Sequence, residues 1–191
     1  MATQPKTTGL TYVDLEAFPD DNFRRELIHG ELVETPAPST RHQAVVAKLV
    51  HRLSTHCESH GGQVFPAPTD VYFSDDSVLE PDVLYVRPEH AARVEERFVR
   101  RSPDLVVEVS SPSTRHLELV RKRDLYERYG VPEYWYVDLD ADRVEAYRLR
   151  EGRYGVPELL PREEILESSA APGFSIAVGD LLGAPPGAPD Q

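Results

Sequence analysis

Three residues stand out because their types are costly where their neighbours would place them. Glu108 interrupts the apolar run 104–109, Asp-Leu-Val-Val-Glu-Val, which otherwise reads as a strand buried on both faces. An ionised carboxylate in such a place is strongly destabilising unless a cation or hydrogen bonds compensate it. Lys122 is one of only three lysines, beside Lys6 and Lys48, in a chain with eighteen arginines. With Leu117 at zero and ~100° per residue, Leu119, Leu125, Tyr126 and Tyr129 fall between about 80° and 200°. Lys122 falls at about 140°, in the middle of that apolar arc. Asp82 follows Pro81 early in an apolar strand, and Pro81 holds Glu80 extended. Asp82, then Glu108 after 26 residues, then Lys122 after 14 more, lie on two strands and the following helix. Two carboxylates and a lysine are a minimal set for metal-assisted phosphodiester hydrolysis. The carboxylates hold Mg²⁺, with Mn²⁺ as a substitute, and the metal neutralises the phosphate and acidifies a water. The lysine orients that water or stabilises the pentacovalent charge. Two alternatives stand beside this reading: a strand end where Glu108 meets water, and a snorkelling Lys122 paired with Glu118.

The elements that must position these residues follow from pattern. Thr11 and Asp14 have capping-box spacing for a short helix to about Phe18. His29-Gly30 between apolar pairs predicts a hairpin over 25–34. Ala44, Val45, Leu49, Val50 and Leu53 give a helix from Arg41 to about Ser59, closed by Gly61-Gly62. Strands are expected at 64–73, kinked or split by its two prolines, and at 78–86, 104–109 and 133–138. A short helix lies within 88–101, and a longer one runs from about Arg115 to Tyr129. Residues 143–149 form a hairpin with the strand before them. Ser110–Thr114 reads as helix capping. The order is that of an α/β (α+β) protein, a sheet flanked by helices, with residues 11–180 as one domain, 1–10 a flexible N-terminus and 181–191 a Gly/Pro-rich tail.

Several blocks, in order, carry a family resemblance: 26–34 (ELIHGELVE), 39–43 (STRHQ), 80–86 (EPDVLYV), 103–114 (PDLVVEVSSPST) and the pattern K-x-x-x-Y-x-x-x-G-V-P-E-Y-W-x-V-D over 122–138. Together they resemble a large bacterial family of unknown function catalogued with the restriction endonucleases, a branch of the PD-(D/E)xK nuclease superfamily. The resemblance implies a restriction-endonuclease-like αβββαβ core, a mixed sheet flanked by helices, with an N-terminal hairpin and C-terminal strand additions. It implies Asp82 and Glu108 as metal ligands. The name-giving lysine belongs two residues after Glu108, where Ser110 stands, and Lys122 matches the lysine from the following helix that replaces it in this branch. Glu31 is a candidate accessory acid, and His42 and Gln43 are further accessory candidates at the start of the first long helix.

Charge sets bounds on partners. With 33 Asp and Glu against 21 Lys and Arg, the net charge is −12, which excludes a broad cationic face for coating nucleic acid. Local cationic segments remain. Arg87, Arg93, Arg97, Arg100 and Arg101 outnumber the glutamates of 87–101, and Arg115, Arg121, Lys122, Arg123 and Arg128 outnumber the acids of the helix. Both flank the site and suit a DNA backbone, a cleft that a homodimer would widen. Cys57 is the single cysteine, so a disulfide framework is excluded and a reducing compartment fits. The first ten residues lack an apolar signal core, and no run approaches the ~18 apolar residues of a membrane span. The expectation is therefore a cytoplasmic Mg²⁺-dependent endonuclease with DNA as partner and no membrane contact; the alternative is a catalytically silent binding module keeping the nuclease fold.

Overall fold

The computed structural model describes residues 8–19, 21, 23–35, 37–110 and 117–184. The expectations for 1–7, 111–114, the helix start at 115–116, and 185–191 lie outside the described residues. The described elements are α1 (Tyr12–Glu16), β1 (Arg24–Ile28), β2 (Glu31–Thr35), α2 (Thr40–His60), β3 (Gln63–Pro66), β4 (Asp70–Ser74), β5 (Ser77–Leu79), β6 (Val83–Val86), a 3-10 turn (Pro88–Arg93), β7 (Phe98–Arg100) and β8 (Leu105–Val109). After these come a π-helical turn (Leu117–Lys122), α3 (Arg123–Arg128), β9 (Glu133–Asp138), β10 (Arg143–Arg150), β11 (Arg153–Tyr154), β12 (Glu158–Pro161), β13 (Ile165–Glu167), β14 (Ser175–Ala177) and α4 (Val178–Leu182).

The main sheet runs β11-β10-β9-β8-β6-β3, with β12 also on β10. In it β8 and β9 are parallel, joined through α3, while β3–β6, β6–β8 and β9–β10 are antiparallel. Read in chain order, α2, β3, β6, β8, α3 and β9 are the expected αβββαβ core. The two long expected strands are each split. Pro66 and Pro68, with a cis Ala67–Pro68 bond, separate β3 from β4, and Glu80-Pro81-Asp82 separates β5 from β6. The pieces β4 and β5 leave the main sheet and join the hairpin β1–β2 in a second sheet, ordered β2-β1-β5-β4-β7. Proline cannot donate to a ladder, so each break falls where the chain changes sheet.

Strand alternation decides which side chains meet. Along β8, Leu105, Val107 and Val109 pack with Val45, Leu49 and Leu53 of α2, and Val106 packs on the other face with Leu125 and Tyr126 of α3. With a period of two, Glu108 shares the Val106 face and turns towards α3. The main sheet is covered on both sides, which is why its central strands read as continuous apolar runs. In the hairpin, Leu27 belongs to a small cluster with Leu10 and Val78, while Ile28 joins the α3-side core. Leu10 is thus buried, and its N–H donates to the Gly30 carbonyl at 2.9 Å. Leu181 and Leu182, assigned by sequence to the tail, end α4 inside the core.

Two buried acids bear on the stability of this frame in opposite ways. Glu133 is fully buried. Its Oε1 accepts from Trp135 Nε1 at 2.9 Å and its Oε2 accepts from Ser168 Oγ at 2.9 Å, Ser169 Oγ at 3.0 Å and the Ala170 N–H at 2.7 Å. It ties the 168–170 loop to the start of β9. Glu133→Ala orphans all four donors and is expected to cost about 3 kcal/mol, read from urea unfolding; a change below about 0.5 kcal/mol contradicts this role.

Asp70 opens β4, and its carboxyl is pushed up to about 6 by burial and by the charges of Glu26 and Glu16, with Arg97 opposing in part. A carboxyl raised in the folded state destabilises as it ionises: the loss begins above its ordinary value and is complete above about 6. Asp70→Asn is expected to be near neutral at pH 4 and to gain about 2 kcal/mol over wild type by pH 7.5. A gain that is the same at both pH values contradicts the assignment.

Candidate active site

Where the second sheet meets the main one, a buried cluster of opposite charges forms. The β6–β8 register pairs Val83 with Val107, so Asp82 stands one step further along, beside Glu108. Asp82 ends this edge of the ladder by accepting the Val109 N–H on Oδ2 at 2.7 Å. Ser39 caps α2 by accepting the His42 N–H, and the fixed first turn aims His42 Nε2 at the same Oδ2, 3.0 Å away. Burial by itself would raise the Asp82 carboxyl; the His42 hydrogen bond, the Arg24 charge and the Val109 N–H outweigh it and hold the group well below the usual carboxylate range.

Lys122 closes the π-helical turn just before α3. The uniform 100° step used to place it on a helix face therefore does not describe 117–122. Irregular winding of this kind is frequent at functional positions. The alternative pairing of Lys122 with Glu118 falls outside the described side chains. Lys122 is 1% exposed, and its Nζ lies 3.1 Å from Glu108 Oε1 and 2.8 Å from Glu26 Oε1. One helical turn on, the Tyr126 hydroxyl donates to Glu108 Oε1 at 2.6 Å. Glu108 is fully buried, and burial raises its carboxyl above the ordinary range despite the nearby lysine.

The structure thus brings Asp82, Glu108, Lys122 and His42 together. Gln43 is exposed and lines the cleft beside them. Glu31 is a correction: it sits at the hairpin corner opposite Ile28, its carboxylate is exposed, and it pairs with Arg121 at 2.8 Å. The acid that reaches the site from the hairpin is Glu26, fully buried, with Oε1 accepting the Glu80 N–H at 2.8 Å. Sequence reasoning missed Glu26, Arg24, Glu80 and Tyr126. Glu26 carries a signal of the same kind as Glu108, a carboxylate against the apolar pair Leu27-Ile28. Arg24 and Glu80 carry none, since charged residues at strand ends ordinarily meet solvent.

The residues can be tested against a divalent cation. Glu108 Oε2 and Glu26 Oε2 are buried and make no hydrogen bond among the described residues, so the cluster holds carboxylate oxygens whose lone pairs the protein leaves unused. Asp82 Oδ1 and Glu108 Oε2 are both reached by one guanidinium, that of Arg24, at 2.8 and 3.8 Å. Among the described residues no group of three or more His, Cys, Asp and Glu side chains is arranged to hold a metal. A two-carboxylate site completed by water fits Mg²⁺, which keeps several waters, and does not fit an all-protein cage. Four of the arginines expected to face DNA already have partners in the chain: Arg87 donates to Ala170 and Ser169 carbonyls, Arg93 to that of Ser102, and the exposed Arg97 and Arg100 pair with Glu16 and Glu95. Among the described residues no helix is long and apolar enough to cross a membrane.

Fold and site together define the class: a mixed α+β protein with a nuclease-like fold. The chain matches the model of the Uma2 family, described as "Putative restriction endonuclease", over residues 11–179, and it belongs to that family. A crystal structure of a "putative nuclease belonging to DUF820" from Anabaena variabilis superposes with a TM-score of 0.76 at 19% identity, covering 91% of this chain and 97% of that one. No curated protein matches the chain.

Removing the amine from the cluster leaves two buried carboxylates facing each other. Lys122→Met is expected to destabilise the protein by about 3–5 kcal/mol, and Glu26→Gln in the same chain to recover part of that loss. Urea unfolding of the two single variants and the double variant measures the coupling. A zero coupling energy contradicts the contact.

Proposed function

We propose that this protein is a divalent-metal-dependent endonuclease acting on DNA, with Asp82 and Glu108 as metal ligands and Lys122 as the cation at the reacting phosphate. The reading is carried by one observation: a fully buried Glu108 whose Oε1 is occupied by Lys122 and Tyr126 while its Oε2 makes no hydrogen bond among the described residues. Mg²⁺ held there, or Mn²⁺ in its place, supplies neutralisation of the scissile phosphodiester and acidification of an attacking water. The chain's own residues do the rest. His42, the Val109 N–H and the Arg24 charge keep Asp82 ionised, so it is ready as an oxygen ligand. Tyr126 and Lys122 clamp one oxygen of Glu108 and so fix the direction of the other. The Lys122 ammonium, held between Glu26 and Glu108, would supply a fixed positive charge for the phosphate oxygens without reorganisation during the reaction. Family membership supports the nuclease chemistry.

The test is cleavage of supercoiled plasmid in Mg²⁺ or Mn²⁺ by wild type, Asp82→Ala, Glu108→Gln and Lys122→Ala. Wild type is expected to nick and linearise the plasmid, EDTA to stop it, and each variant to lose at least about 100-fold in rate. Wild-type cleavage no faster than that of the variants, across varied DNA substrates, overturns the proposal in favour of a silent module that keeps the fold.

A further inference from the structure

Arg24 is the least explained charge in the molecule. Its guanidinium stands among four carboxylates, with Nη1 2.8 Å from Asp82 Oδ1, Nε 3.2 Å from Glu80 Oε1, and Nη2 3.8 Å from both Glu26 Oε1 and Glu108 Oε2. Nε and Nη2 are buried and make no hydrogen bond among the described residues. Other arginines here hold both oxygens of one carboxylate: Arg25 spans the two Asp21 oxygens with Nη1 and Nη2 at 2.8 and 2.7 Å, and Arg162 Nη1 takes both Asp142 oxygens at 3.0 and 2.8 Å. A guanidinium frequently binds a carboxylate through its planar fork. Arg24 instead reaches one oxygen on each of four different carboxylates.

The space beside it is open. A cleft of about 350 Å³, walled by Phe23, Pro38, Gln43, Ala67 and Pro68, has Arg24, His42 and Asp82 in its lining. It opens onto Asp82 from outside. Resting on the metal-dependent reading above, we propose that Arg24 occupies the cation's place between Asp82 and Glu108 in the metal-free protein and exchanges with the divalent ion, its guanidinium turning into the cleft to bind a phosphate oxygen of the DNA. With all four acids ionised, exchange of the guanidinium for a divalent ion takes the cluster from a formal −2 to −1. The four acids are never left without a cation, and the displaced guanidinium is delivered where an anion arrives. Arg24 is in this sense a positioning residue for both metal and substrate.

The exchange is tested by Mn²⁺ titration in a calorimeter, without DNA, on wild type, Arg24→Gln and the neighbouring surface variant Arg25→Gln. Arg24→Gln is expected to bind Mn²⁺ about tenfold more tightly than wild type, with Arg25→Gln unchanged. Equal or weaker binding by Arg24→Gln, or equal tightening in Arg25→Gln, overturns the exchange. Wild-type crystals soaked in Mn²⁺ give the same answer without a variant that must fold. Metal density between Asp82 and Glu108 with Arg24 turned into the cleft supports it, and metal density with Nη1 still on Asp82 overturns it. In Ca²⁺, binding of a short DNA duplex to Arg24→Gln is expected to show a log K against log salt slope lower by about one; an unchanged slope overturns the phosphate role. If no form of the protein binds Mn²⁺, the metal-dependent reading itself falls and the exchange with it; if wild type and Arg24→Gln bind equally, only the exchange falls.

Discussion

Four carboxylates, those of Glu26, Glu80, Asp82 and Glu108, face two cations, Arg24 and Lys122, in a space nearly closed to water. Each of these charges loses solvation on folding, and no single pair repays the loss. What makes the arrangement tolerable is that every group serves more than one partner. Lys122 bridges Glu26 and Glu108, Arg24 touches all four acids, and Asp82 accepts from a backbone N–H and a histidine as well. The excess of negative charge that remains suits the place to a further cation. Burial pushes the Glu80 carboxyl up to about 7 against the pull of Arg24, with Glu26 and Asp70 adding to the rise.

The frame around the cluster is arranged so that these side chains have nowhere else to go. Glu108 faces α3 because Leu105, Val107 and Val109 must face α2, and a strand offers two faces only. Arg24 and Glu26 share the inner side of β1 with Ile28, whereas Leu27 packs on the other side. Asp82 is brought beside Glu108 by the break at Glu80-Pro81, which releases β5 to the second sheet and starts β6 in the main one. The proline break and the placing of Asp82 are therefore one device: the chain changes sheets at the strand entry that carries this acid.

Much of this was legible in the residues themselves. The order of helices and strands follows from apolar periodicity and from Gly and Pro punctuation, and the αβββαβ core lies where those patterns put it. The split strands at 64–73 and 78–86 were legible only in part: the prolines mark a break, but which sheet each half joins depends on partners far away in the chain. The tail was read too long because Gly183 and the prolines after it dominate the local composition, while Leu181 and Leu182 bury against α2-side neighbours that composition does not reveal. Glu31 was read as a candidate and Glu26 was not, although both lie on one face of the same hairpin: Glu31 stands at the exposed corner, and only packing against the main sheet shows that Glu26 is the one covered.

The sequence by itself determined that Asp82, Glu108 and Lys122 are out of keeping with their surroundings, because each violates a local apolar pattern, and such violations are visible without knowing any contact. It also determined the family, through ordered blocks of residues. Only the tertiary structure decided that Arg24, Glu26, Glu80 and Tyr126 join them, that His42 holds Asp82, and that Glu31 does not take part. The reason is one of range. Burial of a charge is a demand that a short stretch of chain can announce, whereas the groups that answer it are chosen by strand register and sheet packing between segments tens of residues apart.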